Sequence, residues 1–207
     1  MRSLSVTLFL ALFMLVAALP APAFAKGGDS AAAQFVQRLG DKALTSLTAK
    51  GLPKGERAKR VRTLLRENFD ITTIGRFTLG RHWNDATEAQ RSEYVSLFED
   101  MIVETYTQRF QEYSGQSFKV LGADASSGSG DTMVSSQILQ KDGPPVDVKW
   151  RVRNKGSLKI VDVLVDEISM SQTQRDDFDG VIEAGGGKME ALLTSLRKHK
   201  ISVAGGK

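Results

Sequence analysis

The residues of this chain whose types and spacing could do chemistry are few. They are His82 and His199, the acidic neighbours Glu99–Asp100, Asp166–Glu167 and Asp176–Asp177, the run Gly185–Gly186–Gly187, and a basic stretch over residues 54–66. A histidine acting as general base needs a partner within hydrogen-bond reach. His82 sits in the turn Gly80–Arg81–His82–Trp83, and His199 sits at the basic end of the last helical pattern. That separation predicts turn packing for the first and a helix-end cation for the second. Neighbouring carboxylates point about 100° apart on a helix and to opposite faces on a strand, so these pairs read as solvated surface. The glycine run has neither the preceding strand nor the Lys-Ser/Thr of a phosphate loop, and it reads as a helix-breaking link. No H-E-x-x-H, G-x-S-x-G or G-x-G-x-x-G occurs. With no cysteine at all, disulfide frameworks, thiolate metal sites and thiol nucleophiles are excluded together. No metal and no cofactor is expected.

The basic stretch carries Lys54, Arg57, Lys59, Arg60, Arg62 and Arg66 on one side of a helical pattern, opposite Val61, Leu64, Leu65 and Phe69. Nucleic-acid binding would call for interleaved aromatic rings, and none is present. Two readings stay open: a solvated helix face, or a docking surface for an acidic partner or for anionic lipid head groups.

The elements that must position these residues follow from periodicity. Helical spacing runs through Phe35, Val36, Leu39, Ala43, Leu44 and Leu47, then through residues 54–69 and briefly over 71–79. Thr87 with Gln90 forms a capping box. It opens the longest helix, whose wide apolar face carries Tyr94, Leu97, Phe98, Met101, Ile102, Tyr106 and Phe110. Beyond Gly115 the period changes to two. Residues 117–121, 133–139, 146–152 and 158–165 read as four strands of an antiparallel meander, and Val146, Val148, Trp150 and Val152 alternate with Asp147, Lys149 and Arg151. Two more helices are expected over 174–184 and 189–199. The class is therefore α+β: N-terminal helices, a four-stranded antiparallel sheet and C-terminal helices. The contact of sheet and long helix is the core and the natural place for an apolar cavity.

The 207 residues, 28 Lys+Arg against 24 Asp+Glu, suit a single domain with modest positive charge. Residues 1–25 read as a cleaved export signal: Arg2, an apolar run from Leu4 to Leu19, prolines at 20 and 22, and Ala23 and Ala25 as an A-x-A site. The run is short of the roughly 20 residues that span a bilayer. The organisation expected is a signal over 1–25, one domain over 26–202 and a flexible tail over 203–207.

Phe69–Asp70, Ile74, Phe77, Leu79–Gly80 and Trp83 resemble the signature of MlaC-type periplasmic lipid-binding proteins, auxiliary components of ABC transporters. Thr87, Gln90, Phe98 and Tyr106 continue that pattern. So do Pro145–Val146–x–Val148, Lys159–Ile160–x–Asp162–Val163, Ile168–Ser169–Met170, Gln174–Arg175 and Phe178. Departures are His82 where an aromatic is usual, Leu158 where Trp is frequent and Trp150 where Tyr is common. The resemblance implies a periplasmic shuttle that carries phospholipid between an inner-membrane ABC transporter complex and an outer-membrane lipoprotein complex, as a monomer and without nucleic acid. A branch associated with hopanoid biosynthesis implies a hopanoid or terpenoid ligand as the alternative. At ~0.8 kcal/mol per CH₂ and about thirty such groups, a two-chain lipid gains on the order of 24 kcal/mol on leaving water. A carrier must therefore enclose the tails. The residues expected to line the enclosure are Phe77, Leu79, Phe98, Met101, Ile102 and Tyr106 from the helices, with Val148, Trp150, Val163, Val165 and Ile168 from the sheet. Two other classes remain beside the carrier. One is an exported enzyme using Tyr106 and Asp162 for acid–base chemistry; the other is an adaptor docking through the basic helix.

Overall fold

The computed structural model describes residues 30–125 and 130–204. The export signal expected over residues 1–25 lies outside them, as do residues 205–207 of the expected tail. Helix starts follow local side-chain chemistry. The Ser30 hydroxyl accepts the Ala33 N–H at 3.1 Å and opens α1 (Ala31–Leu47). After Pro53 comes α2 (Lys54–Asn68), and Asp70 caps α3 (Ile71–Leu79) by accepting the Thr73 N–H at 3.0 Å. A single turn, α4 (His82–Asp85), leads to α5 (Glu88–Gln111). Its capping box is formed as expected: Thr87 Oγ1 accepts the Gln90 N–H at 3.2 Å, and Gln90 Oε1 accepts the Thr87 N–H at 3.0 Å. Each such cap is worth about 1 kcal/mol.

The sheet is an antiparallel meander in sequence order, β1 (Ser117–Ala125), β2 (Thr132–Leu139), β3 (Val146–Asn154), β4 (Leu158–Val165) and β5 (Ile168–Ser169). It holds five strands, one more than the alternation predicts, because two residues are too short a run to show a period. Asp166 and Glu167 make the turn into β5 with φ of 47° and 68°, the left-handed pair of a two-residue hairpin, usually given to Asn and Gly. From β5 the chain passes into α6 (Met170–Ala184), which begins four residues earlier than its apolar pattern suggests because Ser169 caps it, accepting the Gln172 N–H at 3.1 Å. The Gly185–Gly187 link then turns the chain into α7 (Met189–Ala204).

Register puts Val134, Trp150 and Val163 in one row across β2, β3 and β4, and Ser136, Val148 and Val165 in the next. Thr132, Val152 and Ile160 form a third row on the same face. This is the face the helices cover. The core joins Val152 and Ile160 to Ile74, Leu79, Tyr94, Phe98 and Phe178.

Candidate functional site

The helical layer covers the sheet unevenly. Along β3 and β4, Val152 and Ile160 are 1% and 0% exposed. Towards the other end of the same face Val163 and Val165 are half-buried, and Ile168, paired with Val165, is 60% exposed. Helix α5 shows a similar change on one stripe only, since Val103 and Thr107 in its later turns stay buried. Tyr94 and Phe98 are buried, Met101 and Ile102 half-buried, and Tyr106 is 40% exposed. The two gradients run the same way. Val95 and Glu99, from the buried half of α5, share a surface cleft with Arg153, Lys155 and Lys159 at the β3–β4 turn, next to Val152 and Ile160. Because α5 ends at Gln111 and β1 begins at Ser117, opposite Leu139, its last turn lies near the end of the sheet that carries Val148 and Val165. On β4 and on the Met101–Tyr106 stripe of α5 apolar side chains thus lose cover, while Val148, Val103 and Thr107 stay buried.

Tyr106 is partly covered by its own helix, the Arg109 guanidinium lying 5.9 Å from its ring centre. Its ring is reached by solvent, yet burial is the main influence on its phenol and raises its pKa, against the opposing charge of Arg109. Trp150 has a wall position: its indole N–H donates to Ser136 Oγ at 2.8 Å, and that hydroxyl donates to the Val148 carbonyl at 3.0 Å. Its ring meets Phe118 edge-on at 6.0 Å. With its polar atom satisfied inside the sheet, Trp150 presents only apolar surface to the gap.

The residues singled out by sequence divide into two groups. Leu79, Phe98 and Val148 are closed into packed surroundings. Met101, Ile102, Trp150, Val163 and Val165 are half-buried, and Phe77, Tyr106 and Ile168 are exposed. Asp162, the other half of the acid–base pair, faces away from Tyr106's side of the sheet, since it pairs with Arg151 and not with the Trp150 row. Its Oδ1 accepts the N–H groups of Val163 at 2.9 Å and Ser171 at 3.2 Å, and its Oδ2 accepts the Ser169 hydroxyl at 2.7 Å. It ties β4 to the start of α6. A carboxylate so engaged is a structural anchor.

The basic helix is also largely consumed by the fold. Arg57 Nε donates to the Leu47 carbonyl at 2.9 Å and Arg60 to the Ser46 carbonyl at 2.8 Å, closing the end of α1. Arg62 bonds Glu99 and Asp100, and Arg66 bonds Glu99. Lys59 pairs with Glu56 on its own helix at 2.7 Å. The stretch is a strap between α1 and α5. His82, Asp179 and Glu183 lie close enough to suggest a metal site, but Arg81 already stands 3.1 Å from Asp179 and 2.7 Å from Glu183. That guanidinium supplies the positive charge a cation would bring.

Sequence reasoning did not find Arg175. It lies over the Phe77 ring, 5.5 Å from the centroid, and a Cβ at Gly80 would sit 2.8 Å from its Nε. Gly80 also has φ of 55°, so glycine is required twice over. Leu79–Gly80 and Gln174–Arg175 were visible as separate pieces. Nothing in one chain says that they meet.

The protein-family comparison matches residues 37–198 to the family described as MlaC protein. Among curated proteins, the chain is 22% identical over 172 residues to the intermembrane phospholipid transport system binding protein MlaC of Haemophilus influenzae, spanning 79% of each. Among solved structures it is similar to a phospholipid-binding protein from Ralstonia solanacearum in complex with a phospholipid. The TM-score is 0.73 at 21% identity, covering 84% of this chain and 99% of that one.

Proposed function

Since the chain belongs to the MlaC family, whose members are periplasmic binding proteins and not catalysts, we propose that it carries a phospholipid with its acyl tails in the hollow between α5 and the sheet. The observation that supports the reading is the loss of cover on apolar stripes of β4 and α5, where Val163, Val165, Met101 and Ile102 are half-buried and Ile168 and Tyr106 exposed. Exposed apolar side chains normally scatter singly over a surface. In this reading Met101, Ile102, Tyr106, Trp150, Val163, Val165 and Ile168 line the gap, with Phe77 at its rim and Leu79, Phe98 and Val148 backing its walls. The printed function of the Haemophilus relative and the phospholipid held by the Ralstonia protein support the same ligand class.

The partners that suit such a carrier are an inner-membrane ABC transporter complex and an outer-membrane lipoprotein complex, served by a monomer. Loading then requires the sheet and α5 to part further, a motion on the μs–ms scale. Organic extraction of the purified protein followed by mass spectrometry should yield a glycerophospholipid in near-equal molar amount. Val165→Trp, which pushes bulk into the open end, should lower that amount severalfold while circular dichroism stays unchanged. A hopanoid in the extract would replace the phospholipid reading with the terpenoid one. An empty protein, or a variant as loaded as its parent, would refute the hollow as the tail site.

A further inference from the structure

The cleft at the β3–β4 turn has no part in the lipid reading. We propose that it is a docking site for an acidic segment of a partner protein, an extended stretch whose carboxylates meet Lys155 and Lys159 while one apolar side chain rests on Phe69 and Val95. The cleft measures about 430 Å³ and lies between the end of α2, the start of α3, the first half of α5 and the β3–β4 turn. That volume falls in the ordinary range of concave binding sites.

Four cations line it, Arg66, Arg153, Lys155 and Lys159, against two carboxylates, Asp70 and Glu99. The fold has already matched most of them. Glu99 accepts from Arg66 at 2.9 Å and also from Arg62, and Arg153 is held by Asp131 through bonds of 2.7 and 2.8 Å. Asp70 turns its oxygens to the Thr73 amide and hydroxyl, at 3.0 and 2.7 Å. Lys155 and Lys159 are left against that single carboxylate, an excess of positive charge. Lys159 Nζ donates to the carbonyls of Arg66 and Glu67, at 3.1 and 2.6 Å, which fixes the ammonium on the rim without neutralising it. The Lys155 side chain is exposed beside Gly156, whose φ of 85° makes the turn, and it carries no hydrogen bond or ion pair among the described residues.

The floor is apolar: Ile71 is buried, and Phe69 and Val95 are half-buried. A small free anion would leave that floor wet, and a flat bilayer would reach only the rim. An extended segment suits both parts, because its alternating side chains can lower one apolar group to the floor and hold carboxylates at the rim. Complementary rim charge also speeds encounter and makes it depend on salt. The cleft sits at the Leu158 end of β4, with Val165 and Ile168 at the other. A partner docked there leaves the proposed tail site uncovered.

The test follows the fluorescence anisotropy of a labelled peptide, glutamates around one central leucine, titrated with the purified protein. Binding should saturate, and replacing the glutamates of the peptide by glutamines should abolish it. Serine in place of the leucine should weaken it roughly tenfold, the scale of one aliphatic side chain left in water. Raising the salt from about 0.1 M to about 1 M shortens the screening length from about 10 Å to about 3 Å and should weaken it by a similar factor. Lys155→Glu, at an exposed position with no bond to lose, should weaken binding by roughly fivefold, the scale of an exposed ion pair. Lys119→Glu, exposed on β1 at the far end of the sheet, should change it by less than about twofold. No binding, equal binding of the glutamine peptide, or an undiminished Lys155→Glu overturns the proposal, as does an equal loss in Lys119→Glu. Sedimentation with phosphatidylglycerol vesicles that needs Lys155, without peptide binding, would give the cleft to a membrane and overturn it too.

Discussion

The two halves of α5 carry the same kind of apolar stripe and meet different fates. In the first half Tyr94 stacks on Phe98 at 5.7 Å, and Phe178 of α6 closes edge-on against both, at 5.9 and 6.0 Å. The Tyr94 hydroxyl pairs with Thr78 Oγ1 at 2.7 Å, so even its polar end is bound inside. In the second half Met101 and Ile102 are only half-buried and Tyr106 is exposed, although Val103 and Thr107 stay buried. Closure therefore depends on a third layer. Where Thr78 of α3 and Phe178 of α6 meet α5 the stripe becomes core, and beyond them its Met101–Tyr106 side is left partly uncovered.

The largest expected effect separates the halves directly. Phe178→Ala should cost about 3–5 kcal/mol by urea denaturation of the lipid-free protein, because it leaves a cavity inside the aromatic cluster. Tyr106→Ala should cost less than about 1 kcal/mol while lowering retained lipid, since its ring borders space already open. Equal costs would erase the distinction between closed and open ends.

A smaller effect probes the closed end by pH. Burial alone would raise the pKa of Asp70, but its bonds to the Thr73 hydroxyl and amide, helped by Lys155 and Arg153, outweigh this and lower it. A carboxyl depressed in the folded state contributes stability above its unfolded value and loses it as pH falls through the folded one. Asp70→Ala should therefore cost about 1 kcal/mol at neutral pH. The gap to the parent should shrink as the medium is acidified below about pH 4. A gap independent of pH would detach Asp70's charge from the cap.

The smallest effect lies at the open end. Glu167 holds φ of 68° and pairs with Lys149 at 2.6 Å on the surface. Glu167→Gly relieves the left-handed strain and gives up a pair of little worth, so it should stabilise by about 0.5 kcal/mol in thermal unfolding. Lipid content should not change. Destabilisation would mean that the ion pair, not the backbone, governs that turn.

Much of this was legible in the residues. The alternation of Val146, Val148, Trp150 and Val152 and the Thr87–Gln90 box are local patterns, and each element they mark stands where expected. The basic stretch was legible as a helix face, but its partners, Leu47, Ser46, Glu99 and Asp100, come from two other helices and could not be read from spacing. Asp162 looked like a candidate acid because nothing local shows that Ser169 and Ser171 fold back to it. The lining residues were identified as apolar faces, without a way to tell Phe98 from Met101, only three positions apart.

By itself the sequence determined the elements, their order and their apolar faces, because caps, turns and periodicity act over a few residues and their energies are spent locally. Which parts of those faces close and which stay open, and which charges are left over once the fold has paired the rest, was decided only in three dimensions. Cover and pairing depend on segments far apart in the chain: Phe178 reaches Tyr94 across more than three strands, and Arg175 finds its seat on Gly80 only after α6 has docked against α3.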